Sequence, residues 1–240
     1  PDASGEHTGD VINTSSSDHR DTDADGDTLI VTEIRTGSSE GSGTAGTVGS
    51  SLTGTYGQLT MNQNGSYTYI ANQDAADALD PGDTVTDSFN YTVDDQSGAA
   101  NATDKAVLEI TIAGVNDPIT PVNDTDDVNE DATISRSTSD TQELDHDDTD
   151  LDGDDVSGSF TITAIRTGRE GASGTSGTVG QALNGTYGVL TVNADGSYSY
   201  AATRSGADGL AHGDTAIDYF TYTVRDHSGG DTDTAELAIT

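Results

Sequence analysis

Leu59-Thr-Met-Asn-Gln-Asn-Gly-Ser-Tyr-Thr-Tyr69 alternates apolar and polar residues on both sides of Asn64-Gly65, and the pattern returns at Leu190-Thr-Val-Asn-Ala-Asp-Gly-Ser-Tyr-Ser-Tyr200. A period of two is that of a half-buried strand. Asn-Gly or Asp-Gly between two such runs readily takes the positive dihedrals of a tight hairpin turn. The stretch predicts a hairpin, and the chain contains it twice. Working outward, Ile34–Gly98 aligns without a gap on Ile165–Gly229, with 38 of the 65 pairs identical. Phe89, Tyr91 and Val93 alternate with Asn90 and Thr92, as Phe220, Tyr222 and Val224 do with Thr221 and Thr223. Leu108, Ile110 and Ile112, and Leu237 and Ile239, line one face of the next strand. Short alternating strands with frequent turn residues predict an all-β chain of two tandem β-sandwich domains.

A boundary is expected near Asn116-Asp-Pro118. There a strand-like run ends and Pro118 and Pro121 follow, neither able to donate to a ladder. The modules are therefore 1–116 and 117–240. The Gly/Ser/Thr stretches Thr36–Ser51 and Thr167–Gln181 are expected as long exposed loops, and Ala75–Leu79 as one helical turn.

Composition narrows the function. With 8 basic and 43 acidic residues the net charge is −35, and only 31% of residues are hydrophobic. No run approaches the roughly 20 apolar residues of a membrane span, and such a surface repels a phosphate backbone. Membrane insertion and nucleic acid are excluded as partners. The absence of cysteine removes disulfides, thiolate metal sites and thiol nucleophiles. Asp greatly outnumbers Glu, and Lys105 is the only lysine. Asp is a turn former and a ligand of hard cations, so the excess points to ion-binding loops. Adaptation to high salt gives the same bias.

The ordered set Gly54-Thr-Tyr-Gly-Gln-Leu-Thr60, Asn64-Gly-Ser-Tyr-Thr-Tyr69, Asp87-Ser-Phe-Asn-Tyr-Thr-Val93 and Gly114-Val-Asn-Asp-Pro118 resembles the VCBS repeat. That family is a cadherin-like module of large secreted bacterial and archaeal surface proteins. Gly185-Thr-Tyr-Gly188, Asp195-Gly-Ser-Tyr-Ser-Tyr200 and Asp218-Tyr-Phe-Thr-Tyr-Thr-Val224 repeat the set, so the resemblance covers most of both units. It implies immunoglobulin- or cadherin-like sandwiches strung in adhesins or matrix proteins, secreted or at the cell surface, often with calcium. The closing Asn-Asp-Pro is absent from the second unit and no upstream copy precedes the first. A fragment or a polymerising protomer is expected, and no signal peptide is visible, as expected if Pro1 begins a mature or excised chain.

The candidate chemistry lies in acidic loops. Asp21, Asp23, Asp25 and Asp27 recur as Asp148, Asp150, Asp152 and Asp154, each set with a glycine at the turn. Alternate carboxylates around a glycine supply oxygen ligands as calcium loops do. The EF-hand pattern fails, because its twelfth position is Thr32 or Ser159 rather than Glu, and strand-like residues follow. A second candidate is the linker, where Asn116 and Asp117 close the first module and Glu130 and Asp131 open the second. In cadherin-like tandems an ion at such a junction stiffens the joint; the alternative is an extended acidic tether. Asp94, Asp95 and Asp226 follow strands and are open to either ligation or turn capping. His19 and His146 are solitary loop residues, and His212 and His227 are not shared between the units.

No nucleophile elbow and no phosphate loop is present, so the chain is not expected to be an enzyme. The reading is a calcium-stiffened, extracellular structural or adhesive tandem whose partners are neighbouring modules of the same or identical chains. One rival is a carbohydrate-binding module taking surface glycans on the pairs Tyr67/Tyr69 and Tyr198/Tyr200, although same-face alternation favours core roles for these tyrosines. The other is a filament protomer whose segment Pro1–Ser17 adds a strand to a neighbour's sheet edge.

Overall fold

A computed structural model of the chain describes residues 5–13, 20–153, 155–156, 158–227 and 230–240. The fold divides between Val115 and Asn116, one residue ahead of the expected boundary. The reason is local: the Asn116 amide donates to Asp226 and Asp231 of the second unit.

The first unit is a sandwich of two four-stranded sheets. One sheet contains β1 (His7–Asp10), β4 (Ser51–Thr53), β5 (Gln58–Met61) and β6 (Ser66–Ile70). The other contains β2 (Ile30–Thr36), β3 (Ala45–Gly46), β7 (Thr84–Asp94) and β8 (Thr103–Ala113). Leu59, Met61 and Tyr69 from the first sheet pack on Val31, Ile34, Phe89 and Tyr91 from the second. Removing this apolar surface from water is what closes the two sheets. The single helical turn, α1, spans Asp74–Asp77. Among the described residues no helix is long and apolar enough to cross a membrane.

The second unit repeats the plan. β10 (Thr133–Arg136), β12 (Leu183–Asn184), β13 (Val189–Val192) and β14 (Tyr198–Ala201) face β9 (Asp124–Asp126), β11 (Thr161–Thr167), β15 (Asp218–Arg225) and β16 (Thr232–Ile239). Here β9 runs parallel to β16, pairing Asp124 with Leu237 and Asp126 with Ile239. The core holds Leu190, Val192, Tyr200, Phe220, Tyr222 and Val224.

Both expected hairpins form, pairing Met61 with Tyr67 and Val192 with Tyr198. Their turns carry three loop residues rather than two. Gly65 and Gly196 alone take positive φ, 87° and 79°, and their amides donate back to the carbonyls of Asn62 and Asn193. Asn64 and Asp195 act as acceptors, each taking the amide and the hydroxyl of the following serine. A left-handed glycine closing a short turn is the alternative hairpin geometry.

The glycine-rich stretches are largely exposed, yet they are not free loops. β3 pairs with β2. Asn90, 2% exposed, ties the rest down: its Nδ2 donates to the carbonyls of Gly37 at 2.9 Å and Ser42 at 3.1 Å, and its Oδ1 accepts from the Gly41 amide at 2.9 Å. In the second unit the Thr221 hydroxyl donates to the Gly168 carbonyl at 2.9 Å.

A buried carboxylate explains the Gly-Thr-Tyr-Gly motif. Asp218 accepts the amides of Thr186, Tyr187 and Gly188 at 2.8, 2.9 and 3.0 Å, and the Tyr200 hydroxyl at 2.6 Å. In the first unit Asp87 accepts the Thr55 and Tyr56 amides and the Tyr69 hydroxyl. A side chain at Gly54 or Gly185 would stand 2.3 or 2.4 Å from that carboxylate. Tyr69, Tyr198 and Tyr200 are thus core residues at 2% exposure, and of the four tyrosines weighed as a sugar platform only Tyr67 is half-exposed. β1 is already paired with β6 of its own unit; Pro1–Ser4 and Thr14–Ser17 of the proposed donor segment lie outside the described residues.

Candidate metal centre

Three separate pieces of the second unit meet at one place, two of them bringing carboxylates. The first is the acidic loop ahead of β11. Asp150 Oδ1 accepts the Asp152 amide at 3.0 Å, an Asx turn, and the Asp155 amide donates to the Asp152 carbonyl at 3.2 Å, so the chain coils tightly. The second is the turn after β15. Asp226 accepts the Gly230 amide and, at 3.1 Å, the Asp231 amide, and the Asp155 carboxylate ties to this turn by accepting the His227 amide at 2.6 Å. The third is the entry segment. The Asn116 Nδ2 donates to Asp226 at 3.1 Å and to the Asp117 carbonyl at 2.8 Å, and the Asp117 amide donates to Asp152 at 3.1 Å.

The result is that carboxylate oxygens of Asp150, Asp155 and Asp226 lie within 4.8 Å of one another. Asp117, Asp152, Asp155 and Asp226 are buried, and Asp150 is half-buried. At an effective dielectric near 20, two like charges ~4 Å apart repel by about 4 kcal/mol. Burial pushes the Asp150 carboxyl above its ordinary range and Asp152 up to about 6, against the backbone amides that hold both down. Asn116 Oδ1, Asp150 Oδ2 and Asp152 Oδ1 are buried with no hydrogen-bond donor. A set made only of oxygens, crowded with negative charge and holding orphaned acceptors, fits a hard divalent cation such as calcium.

Of the residues expected to ligate, only Asp150 is in the trio, while the Asp152 amide donates to Asp150 and Asn116 and Asp117 are hydrogen-bonded beside it. Asp154 lies outside the described residues, as does His19. Asp148 faces elsewhere, accepting the Val122 amide at 2.7 Å. Glu130 and Asp131 are exposed in the turn before β10, where the Asp131 amide donates to the Ala202 carbonyl; they do not enter the cluster. His146 is exposed.

The matching loop of the first unit is arranged differently. Asp21 accepts the Tyr91 hydroxyl at 2.8 Å, and burial raises its pKa. Asp23 accepts the amides of Asp25 and Asp27 at 2.8 and 3.0 Å, which holds its carboxyl below the usual range. Asp25 and Asp27 are exposed. Thr28 stands where the second unit has Asp155, and Asp95, the counterpart of Asp226, caps its own turn through the Ser97 amide. Among the described residues no trio of carboxylates in this unit converges within 4.8 Å.

The alternating-Asp pattern does not single out Asp155, and the sequence leaves Asp226 open to ligation or turn capping. The available signal for Asp155 was a departure from the repeat, since Asp154-Asp155 occupies the place of Asp27-Thr28.

The family model of the bacterial cadherin-like domain matches residues 2–114 and again residues 116–240. A search of curated proteins finds no match. Among solved structures, the extracellular domain of protocadherin GammaB4 is 13% identical, with 79% of this chain and 26% of that one covered, at a TM-score of 0.38. Zebrafish RET cadherin-like domains 1 to 4 are 9% identical, with 99% and 42% covered, at 0.27. An endo-fucoidan hydrolase of glycoside hydrolase family 107 is 17% identical, with 90% and 24% covered, at 0.27. The chain thus spans between a quarter and two fifths of these proteins.

Proposed function

The chain belongs to the bacterial cadherin-like domain family as two consecutive members, and from that premise we propose that it is an extracellular structural or adhesive segment whose second unit is secured by a calcium-class cation. The observation that carries this is the convergence of Asp150, Asp155 and Asp226, from a loop and a turn far apart in sequence, on one oxygen-only cluster beside Asn116 and Asp117. When bound, the cation supplies charge neutralisation and a link among the three segments.

The residues divide the work. Asp150, Asp155 and Asp226 provide the charge. Asp152 holds the entry segment through the Asp117 amide, and Asn116 donates to Asp226, fixing its orientation. In this reading residues 116–117 are anchored to the body of the second unit rather than left as slack chain, and stiffening of the tandem is a separate part of the proposal. Calcium in place of protons suits a secreted setting, and the role is mechanical rather than enzymatic.

Titration calorimetry tests it. Calcium should bind the wild-type chain with favourable affinity, and Asp226→Asn should weaken one binding event at least about tenfold. Unchanged calcium binding in Asp226→Asn would refute the assignment. Small-angle scattering with calcium and with chelator tests the stiffening; identical curves would refute that part alone.

A further inference from the structure

A second group of buried acids in the second unit lies outside the centre just described. Glu143, Asp145 and Asp148 are 2%, 1% and 3% exposed, and each has one carboxylate oxygen, Oε1, Oδ1 and Oδ2 respectively, with no hydrogen-bond donor. Their other bonds are few. Asp145 accepts the Gly158 amide at 3.2 Å and Asp148 the Val122 amide at 2.7 Å. Half-buried Asp124 adjoins them and takes the Tyr222 hydroxyl at 2.7 Å. That hydroxyl also lies 3.1 Å from the Val122 carbonyl and 3.0 Å from the Leu144 carbonyl, so a single proton faces three acceptors.

Other buried carboxylates in the same unit show how such groups are satisfied here. Asp126 is gripped by the Arg136 guanidinium at 2.6 and 2.7 Å and by the Tyr198 hydroxyl at 2.8 Å. Asp218 is covered by three amides and a hydroxyl. Among the described residues the ion pairs are Arg35–Glu33, Arg136–Asp126 and Arg169–Glu236, so Glu143, Asp145 and Asp148 have no cationic side chain. A buried charge of this kind needs a partner.

Among the described residues, the first unit has no such arrangement. The Val11 amide donates to the Gly65 carbonyl as the Leu144 amide does to Gly196, which places Ile12 opposite Asp145 and Asp10 opposite Glu143. Asp10 is occupied with the amides of Ile12 and Asn13. At these two matched positions the acids Glu143 and Asp145 stand where the first unit has a self-capped Asp10 and an Ile12.

We propose that Glu143, Asp145, Asp148 and Asp124, with the Leu144 and Val122 carbonyls close by, form a second hard-cation site in this unit, separate from the Asp150–Asp155–Asp226 centre. A divalent ion with several oxygen ligands satisfies orphaned carboxylates together, where each proton would satisfy only one contact. No three of these carboxylates lie within 4.8 Å of one another as those of the first centre do, so shared ligation requires the side chains to close on the ion.

The test uses the full chain with calcium, counting bound ions by native mass spectrometry, and terbium luminescence excited through tyrosine, since the chain has no tryptophan. Glu143→Gln with Asp145→Asn should lose one ion, Asp226→Asn a different one, and the combination two. Sensitised terbium emission should fall in the Glu143/Asp145 variant and in Tyr222→Phe, and persist in Asp226→Asn. Should the double variant fail to fold, Asp124→Asn, at a half-buried position, should weaken one calcium site about tenfold. An unchanged ion count and affinity in the folded Glu143/Asp145 variant, or unchanged affinity in Asp124→Asn, overturns the proposal, and a proton-sharing acid pair then accounts for the pocket. Loss of an ion here with none lost in Asp226→Asn would instead remove the first centre and leave this one.

Discussion

Removing calcium should destabilise the second unit and spare the first. The perturbation is a chelator against calcium at about a hundred times its dissociation constant, where binding to the folded state alone contributes about 2.7 kcal/mol. The second unit has 125 residues. At roughly 2.1 cal/mol/K per residue, its unfolding entropy is about 0.26 kcal/mol/K, so the expected shift is about 10 °C. The asymmetry follows from geometry. The second unit gathers three carboxylates within 4.8 Å, while in the first Asp23 is engaged by its own loop amides and Asp21 by Tyr91. Differential scanning calorimetry should show two transitions, of which calcium moves one by about this amount for each site it fills, and Asp226→Asn should remove the share of the Asp150–Asp155–Asp226 centre. Equal shifts of both transitions, or no shift in either, would refute the reasoning.

Other outcomes follow from the same contacts. Asp218→Asn turns an acceptor of three amides and a hydroxyl into a group with a donor facing donors, and should destabilise the second unit by about 3 kcal/mol, read from denaturant midpoints at constant slope. Asn90→Ala frees the glycine-rich loop and should cost the first unit about 1–2 kcal/mol, with faster amide exchange at Gly41. In chelator, stability should fall as pH rises from about 5 to 9. Burial pushes Glu143 up to about 9 and Asp124 up to about 8; folding then favours the protonated forms, and their contribution, complete below the unfolded pKa near 4, is lost as pH passes the folded values. Saturating calcium should flatten that slope, and melting curves across this range check both arms.

Much of the fold was legible because it is written locally and twice. Alternation fixed the strands, and the duplicated Asn64-Gly65 and Asp195-Gly196 fixed the hairpins, although the turn length depended on which residue took positive φ. The glycine-rich stretches are exposed as expected, but polarity says nothing of long-range anchors, and Asn90, one of the polar residues alternating along β7, is what holds one down. Asp23 and Asp150 sit in loops that differ only at Ala24 and Leu151 over seven residues, yet among the described residues only Asp150 meets carboxylates from another segment. The difference lies in Asp155 and Asp226, set by tertiary placement, and in the entry residues Asn116 and Asp117. Glu143 and Asp145 gave no signal, since their meaning depends on being buried beside Tyr222.

Anomalous diffraction from crystals grown in calcium addresses the central claim most directly. A peak bounded by the Asp150, Asp155 and Asp226 carboxylates, with the Asn116–Asp117 segment ordered against it, is the result expected. Ordered side chains at the same positions, with no anomalous signal at saturating calcium, would contradict the account.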